Sequence, residues 1–112
     1  MRILILEDEP IIAIDLEDIV TTSAQNVECC LASTAAAGLL CIGEGVDFAM
    51  IDINLAGDRE GCWTVVAALR AKAVPFCFVT SSRRDIPQRF RNVPFVAKPF
   101  APRDIARVVA AI

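Results

Sequence analysis

Short apolar runs alternate along this chain with segments whose apolar residues recur at helical spacing. The runs contain few polar residues, so they predict strands that are buried on both faces of a sheet. We expect five such strands, at residues 2–6, 27–32, 46–53, 75–79 and 94–97.

The segments between the runs predict amphipathic helices. Pro10 suits the first turn of the first helix, whose apolar positions are Ile12, Leu16, Ile19 and Val20. Ser33 or Thr34 is a candidate cap for a second helix, which Gly43 or Gly45 would end. The spacing of four later residues marks a third helix: Trp63, Val66, Leu69 and Ala73.

Two further features complete the pattern after the fourth run. Residues 81–93 are polar and basic with weak periodicity, which predicts a loop and at most a short helix. Pro102 opens a last helix, with its apolar side formed by Ile105, Val108, Val109 and Ile112.

Strands that alternate with helices in this way indicate an α/β fold. Right-handed crossovers between such strands give a doubly wound parallel sheet covered on both faces. With 112 residues, we expect one domain spanning 1–112. Ligands of such folds bind beyond the carboxyl ends of the strands, so the residues that follow each strand are the candidates for function.

Composition narrows the classes of function. The chain is 55% hydrophobic with a net charge of −3, which favours a packed core and disfavours binding of nucleic acid by phosphate neutralisation. No apolar stretch approaches the ~18–20 residues of a membrane span, and no secretory signal is visible, so we expect a cytoplasmic protein.

The cysteines and the missing histidines restrict the chemistry further. The chain has no His, which removes His-based triads and imidazole metal sites. The cysteines match no zinc pattern, and we expect reduced thiols packed as small hydrophobic groups at positions 29, 30, 41, 62 and 77.

Chemically active residues follow four of the five predicted strands. Glu7 and Asp8 end the first, Asp52 the third, Thr80 the fourth and Lys98 the fifth. Two carboxylates about 4 Å apart repel by roughly 4 kcal/mol at an effective dielectric of 20. Three in one cleft therefore require a proton or a cation, and a hard divalent ion with oxygen ligands and water fits Mg²⁺ best.

This set of residues suits phosphoryl chemistry. A carboxylate beside bound Mg²⁺ stays ionised and can attack phosphorus to form an aspartyl phosphate. The ammonium of Lys98 and the hydroxyl of Thr80 would then hold the phosphoryl oxygens.

Four motifs together resemble the receiver domain of two-component response regulators. They are the run 6–10 (Leu-Glu-Asp-Glu-Pro), the run 51–57 (Ile-Asp-Ile-Asn-Leu-Ala-Gly), Thr80 after an apolar strand, and Lys98-Pro99-Phe100. The resemblance covers nearly the whole chain. It implies the flavodoxin-like strand order 2-1-3-4-5.

The resemblance also implies a role for each matching residue. Asp52 would be the phosphoacceptor, with Glu7 and Asp8 binding Mg²⁺ directly or through water. The backbone carbonyl of Asn54 would be a further metal ligand. Thr80 would hydrogen-bond the phosphoryl group.

The fifth strand and its end would complete the site. Lys98 would pair with the phosphoryl group, and the Lys98-Pro99 bond is usually cis in this family. Phe95 occupies the aromatic switch position that turns inward on activation.

The sequence departs from the family pattern in three ways. Glu7 stands where Asp is commoner, so the metal would be reached by a longer arm or through water. Phe95 has no hydroxyl, so a switch there would act through packing. Only 15 positions separate Thr80 from Phe95, so the fourth helix of the family should be short or absent.

The region after the fourth strand also resembles a stand-alone receiver subgroup common in alphaproteobacteria. That subgroup carries a Phe-x-Thr-Gly-Tyr-like motif, and Ser81 and Ser82 stand here in place of its Gly-Tyr. Four arginines follow within nine residues, either as a solvated loop or as a surface for an acidic partner: Arg83, Arg84, Arg89 and Arg91.

The resemblance implies a signalling switch rather than an enzyme. A histidine kinase or phosphotransfer protein would phosphorylate Asp52, and output would pass to a protein partner not identifiable from the sequence, with a homodimer left open. A phosphate shuttle or sink, and an interaction module that never carries phosphate, remain as alternatives. A phosphohydrolase of the haloacid-dehalogenase class is disfavoured, because Asn54 stands where those enzymes place their general acid.

Overall fold

A computed structural model describes the backbone of residues 1–112 and every side chain except that of Arg59. Five strands alternate with four α-helices: β1 (Arg2–Leu6), α1 (Pro10–Ser23), β2 (Glu28–Ala32), α2 (Ala35–Glu44), β3 (Phe48–Ile51), α3 (Arg59–Ala71), β4 (Phe76–Thr80), β5 (Phe95–Ala97) and α4 (Pro102–Ala110). Among these described helices, none is long and apolar enough to cross a membrane.

The strands form one parallel sheet in the order β2-β1-β3-β4-β5, which confirms the predicted fold class and order. In this register Leu6 lies opposite Ile51, and Thr80 lies opposite Ala97. Ile51 lies opposite Phe78, so β4 and β5 extend two residues beyond the ends of β1 and β3. The carboxyl ends of all four strands meet at one edge of the sheet.

Alternating side chains of the sheet supply two separate cores. Leu4 and Leu6 belong to the cluster that contains residues of α2 and α3, whereas Ile3 and Ile5 belong to the cluster that contains residues of α1 and α4. Both faces of the sheet are covered, which explains why its central strands are almost uninterrupted apolar runs.

Local signals place most of the helix boundaries. Pro10 lies in the first turn of α1. The hydroxyl of Thr34 accepts a hydrogen bond from the backbone N–H of Ala37 at 3.1 Å, and Gly45 ends α2 with φ of 104°. Glycine adopts that conformation without steric penalty, so the predicted stop at Gly43 or Gly45 is at the second of them.

Three of the predicted elements are longer than the observed ones. β3 is confined to Phe48–Ile51 within the predicted 46–53. Ala73 lies beyond the end of α3 with φ of 56°, and Ile112 lies beyond the end of α4. Apolar periodicity continues past the last hydrogen-bonded turn in both helices, so it overestimates their length.

The segment between β4 and β5 contains two short 3₁₀ turns, Arg83–Asp85 and Gln88–Phe90. This confirms that the helix expected there in the family is absent from the described chain. Aromatic side chains cover this part of the sheet instead. The ring of Phe90 stacks on Trp63 of α3 with centroids 5.5 Å apart and an interplanar angle of 2°.

The expectation of five reduced thiols is wrong for one pair of cysteines. Cys30 on β2 and Cys41 on α2 form a disulfide, with their Cα atoms 6.4 Å apart. Because α2 packs against β2, the two residues face each other although 11 positions separate them. Cys29, Cys62 and Cys77 are free thiols, as predicted.

Candidate functional site

The sheet edge brings together the polar residues that follow its strands. Glu7 and Asp8 follow β1, Asp52 follows β3, Thr80 is the last residue of β4, and Lys98 follows β5. These strands are neighbours in the sheet, so the side chains converge where the sequence analysis expected them.

Three carboxylates form the centre of the site. One oxygen from each of Glu7, Asp8 and Asp52 lies within 4.8 Å of the others. Glu7 and Asp52 are only 2% and 5% exposed, whereas Asp8 is half-buried. This is a cluster of acidic groups with little access to water, and it needs compensation by positive charge or protons.

Backbone amides orient each of these acids. Asp52 Oδ1 accepts a hydrogen bond from the backbone N–H of Asn54 at 3.0 Å. Asp8 Oδ2 accepts one from the N–H of Ala56 at 2.9 Å, and Glu7 Oε2 accepts one from the N–H of Glu9 at 3.2 Å. The loop after β3 therefore fixes two of the three carboxylates.

Lys98 supplies positive charge to the cluster. Its ammonium nitrogen lies 2.5 Å from Glu7 Oε1 and 3.1 Å from Asp52 Oδ2. The backbone N–H of Lys98 also donates to the carbonyl oxygen of Thr80 at 2.9 Å, which holds the end of β5 beside β4. The Lys98-Pro99 peptide bond is cis, as the family resemblance implies.

The environment shifts the protonation of Glu7 and Lys98 in a consistent way. Burial raises the pKa of Glu7 to about 7, against the lowering effect of the hydrogen bond from Lys98; Asp52 raises it further. Burial by itself would lower the pKa of Lys98, but its contacts with Glu7 and Asp52 outweigh burial, and the pKa is raised. The raised pKa favours the charged form of Lys98, and the raised pKa of Glu7 favours its protonated form.

The donor set fits Mg²⁺. All three acids offer hard oxygen ligands at close mutual range, and the ion's charge would neutralise a cluster that Lys98 only partly compensates. Glu7, Asp8 and Asp52 are the residues that would hold it. The part assigned to the backbone carbonyl of Asn54 stays a prediction.

Thr80 lies beside this cluster at the end of β4, whereas Phe95 lies at the start of β5. Thr80 is fully buried, and its hydroxyl oxygen accepts hydrogen bonds from the backbone N–H of Ser82 at 3.3 Å and from Asn54 Nδ2 at 3.4 Å. Phe95 is half-buried on β5, with the guanidinium of Arg83 5.7 Å from its ring centroid. Its role as a switch stays a prediction.

The sequence analysis did not place Trp63 or Asp85 near the site. Together with Ile53 and Asn54 they line a small cavity of about 140 Å³ next to the loop after β3. The available signal in the sequence was Phe90, an aromatic residue within the largely polar residues 81–93. A ring in such a segment needs an apolar packing partner, which Trp63 of α3 provides.

The chain is similar in sequence to a known regulator. The chain is 34% identical over 116 residues to the phyllosphere-induced regulator PhyR of Methylorubrum extorquens, and the match covers 97% of the chain but only 42% of PhyR. No protein-family model matches the chain.

Two solved structures are similar over almost their whole length. SdrG from Pseudomonas melonis Fr1, in its BeF₃-activated conformation, superposes with a TM-score of 0.81 at 38% identity, covering 98% of this chain and 93% of that one. The receiver domain of the PhyR response regulator from Erythrobacter litoralis gives a TM-score of 0.82 at 26% identity, covering 98% and 87%.

Proposed function

We propose, because this chain belongs to the receiver domain family of response regulators, that it is a phosphorylation-dependent signalling switch with Asp52 as its phosphoacceptor. One observation carries the proposal. Asp52 is almost fully buried in a cluster of acids, and the Lys98 ammonium contacts it at 3.1 Å. That arrangement places a nucleophilic carboxylate beside a cation that can pair with the negative charge added by a phosphoryl group.

Each residue of the site would have its own role in phosphoryl transfer. Glu7, Asp8 and Asp52 would hold Mg²⁺, which when bound supplies positive charge to the phosphoryl oxygens. A carboxylate oxygen of Asp52 attacks phosphorus, a new P–O bond forms, and the bond from phosphorus to the donor's imidazole nitrogen breaks. The Asn54 N–H holds the other part of the carboxylate in place through Asp52 Oδ1.

Lys98 and Thr80 respond to the new charge. The ammonium of Lys98 is already within hydrogen-bond distance of Asp52, so it can pair with a phosphoryl oxygen after a small displacement. The Thr80 hydroxyl has its own proton free to donate, since it accepts from Ser82 and Asn54 in this structure. Donation to phosphate would change the contacts of the segment that follows β4.

The phosphoryl donor would be a histidine kinase or a phosphotransfer protein in the cytoplasm, and output would pass to a protein partner. The chain would act as a phosphoacceptor with at most slow hydrolysis of its own phosphate, not as a dedicated phosphohydrolase. A shuttle or sink for phosphate uses the same site chemistry and differs only in what receives the phosphoryl group.

The proposal is tested by incubating the chain with Mg²⁺ and acetyl phosphate and measuring intact mass. We expect the mass to increase by one phosphoryl group that survives acid and is lost in base. Asp52→Ala should abolish the increase, and Asp18→Asn, an exposed position on α1, should not. Labelling that persists in Asp52→Ala would show that the site is not the phosphoacceptor.

A further inference from the structure

The disulfide between Cys30 and Cys41 joins an edge strand of the sheet to the helix that packs on it. Cys30 lies on β2 and Cys41 lies on α2. β2 is the first strand in the sheet order, so among the described strands it has a neighbour on one side only. The bond therefore lies near an open edge of the sheet.

The two cysteines differ in exposure. Cys41 is 5% exposed and belongs to the core cluster that contains residues of α2 and α3, whereas Cys30 is half-buried. Exchange between a thiol and a disulfide requires that the attacking thiolate reach one of the two sulfur atoms. Cys30 is therefore the residue that an external thiol would reach first.

The fold can accommodate the reduced state of the pair as well as the oxidised one. Cys41 lies inside an apolar cluster and Cys30 packs against the same cluster, so two thiols would fit there as small hydrophobic groups. With 112 residues and apolar clusters on both faces of its sheet, the chain does not need a covalent framework in the way that very small domains do.

We propose that Cys30 and Cys41 form a reversible redox site that a dithiol reductant opens, and that its state sets how firmly Glu7 is held in the acidic cluster. The inference rests on the proposed function for the role of that cluster and for the cytoplasmic location. In that compartment disulfides are uncommon, and those that occur usually change state.

Reduction proceeds by two exchange steps. One thiolate of the dithiol attacks Cys30 Sγ and forms a mixed disulfide, while the bond between the two Sγ atoms breaks and Cys41 leaves as a thiolate that takes up a proton. The second thiolate of the reductant attacks its own sulfur in the mixed disulfide and releases Cys30, which is also protonated. Two electrons and two protons pass to the chain, and the dithiol becomes a disulfide. The reverse exchange with such a disulfide closes the bond again.

Both elements that the bond joins contact the end of β1. The Glu7 N–H donates to the carbonyl oxygen of Ala32, two residues after Cys30, at 2.9 Å. On the α2 side, Gly38 lies so close to β1 that a Cβ there would be 3.4 Å from Leu6 Cδ1. Opening the bond would allow β2 and α2 to move independently, and the residue that follows Leu6 would be held less firmly. The reduced chain should therefore bind Mg²⁺ more weakly.

The first test follows reduction of the folded chain by dithiothreitol, with trapping of thiols by iodoacetamide and intact mass as the readout. We expect the rate to rise in proportion to the dithiothreitol concentration, while the circular dichroism spectrum stays that of a folded chain. A rate that levels off as dithiothreitol increases would show that the bond becomes accessible only after unfolding, and this would overturn the inference.

The second test compares the oxidised and the reduced chain. Hydrogen exchange of the Glu7 N–H, measured by NMR without Mg²⁺, should be about fivefold faster in the reduced chain, and the affinity for Mg²⁺ should be about fivefold weaker. Because coupling is reciprocal, saturating Mg²⁺ should shift the equilibrium of the pair with dithiothreitol by the same factor towards the disulfide.

Cys29→Ser, at the neighbouring position on β2, is the matched control and should keep these differences. Cys30→Ser/Cys41→Ser should show none of them. Equal exchange of the Glu7 N–H in the two states would overturn the inference, as would a response to dithiothreitol that persists in the double variant. The comparison of oxidised with reduced wild type needs no substitution, so it holds even where a variant does not fold.

Failure of this inference is distinguishable from failure of the proposed function. Absence of Mg²⁺ binding in both oxidation states would contradict the proposed function. Hydrogen exchange of the Glu7 N–H is measured without Mg²⁺, so it would still decide whether the disulfide controls the end of β1.

Discussion

The Lys98 ammonium lies 2.5 Å from Glu7 Oε1, although 91 positions separate the two residues in the chain. The contact links the end of β5 to the end of β1 and includes Asp52 between them. Lys98 therefore binds two of the carboxylates that would hold Mg²⁺. The two positive charges would compete for Glu7.

This competition predicts an altered response to Mg²⁺ in Lys98→Met. The variant leaves Glu7 and Asp52 without their ammonium partner, so its free energy of unfolding without divalent ions should fall by roughly 2–4 kcal/mol. Added Mg²⁺ should then stabilise the variant more than the wild type, because nothing in the variant competes for Glu7. Urea denaturation with and without MgCl₂ measures both effects.

Lys72 provides the matched control for this experiment. Its ammonium donates to the carbonyl oxygen of Ile42 at 3.2 Å and has no carboxylate partner in the described structure. Lys72→Met should therefore respond to Mg²⁺ as the wild type does. An equal gain from Mg²⁺ in all three proteins would contradict the assignment of Lys98 to the acidic cluster.

Phe90→Ala should destabilise the chain by about 3 kcal/mol, because it leaves a cavity beneath residues 81–93. Phe90 packs against Trp63, Phe76 and Phe78, with ring centroids 5.5–6.4 Å away. Trp63 is the single tryptophan of the chain, so its emission reports this change directly and should shift to longer wavelength. Phe90→Leu keeps part of the volume and should show a smaller effect in both measurements.

The disulfide predicts a definite count of thiols. Unfolding the oxidised chain without reductant should expose three reactive thiols, and unfolding it after reduction should expose five. Because the bond closes a short loop, reduction should lower stability by about 3 kcal/mol. The variant Cys30→Ser/Cys41→Ser should be insensitive to reductant, and five thiols in the oxidised sample would contradict the pairing.

The three remaining thiols should react slowly in the folded chain. Burial raises the pKa of Cys77 to about 12 and of Cys62 to about 12, and burial with the charge of Glu17 raises that of Cys29 to about 11. The unfolded chain loses its thiol protons near the ordinary value of 9.0, so the stability associated with them is complete below pH 9 and is lost as the pH rises from there towards 11–12. Alkylation at pH 8 followed by mass spectrometry should modify half-buried Cys29 first.

Two glycines should respond oppositely to replacement by Ala. A Cβ on Gly61 would overlap the capping carboxylate of Asp58 and lie 2.8 Å from Ala35 Cβ, so Gly61→Ala should destabilise the chain by about 1–3 kcal/mol. A Cβ on Gly43 in α2 would meet no atom within 4 Å, so Gly43→Ala should stabilise it by about 0.5–1 kcal/mol. Thermal unfolding measures both, and shifts of the same sign would contradict the packing of α3 against α2.

The candidate site was predictable because a charged residue follows the apolar centre of each of β1, β3 and β5, although the predicted bounds of β3 were too wide. Their apolar runs stop abruptly at Glu7, Asp52 and Lys98, and the carboxyl ends of neighbouring strands meet at one edge. The strand order could be anticipated only from the family resemblance, since the apolar pattern does not say which strands are neighbours.

The sequence did not predict two features: the individual turns within residues 81–93, and the disulfide, where it predicted reduced thiols instead. The 3₁₀ turns in residues 81–93 have no apolar period, and their stability depends on contact with Trp63, which lies far away along the chain. The pairing of Cys30 with Cys41 depends on how α2 is rotated against β2, which hydrophobic spacing alone does not determine to the accuracy of a single side chain.

The two edge strands of the sheet are held by different kinds of interaction. At one margin a covalent bond joins β2 to α2, and at the other the three-residue β5 depends on hydrogen bonds to β4 and on the aromatic rings packed under residues 81–93. We therefore expect the edge of the sheet at β5 to deform more easily than the edge at β2. If phosphorylation adds charge at Asp52, as we propose, the larger displacement should be on the β5 side.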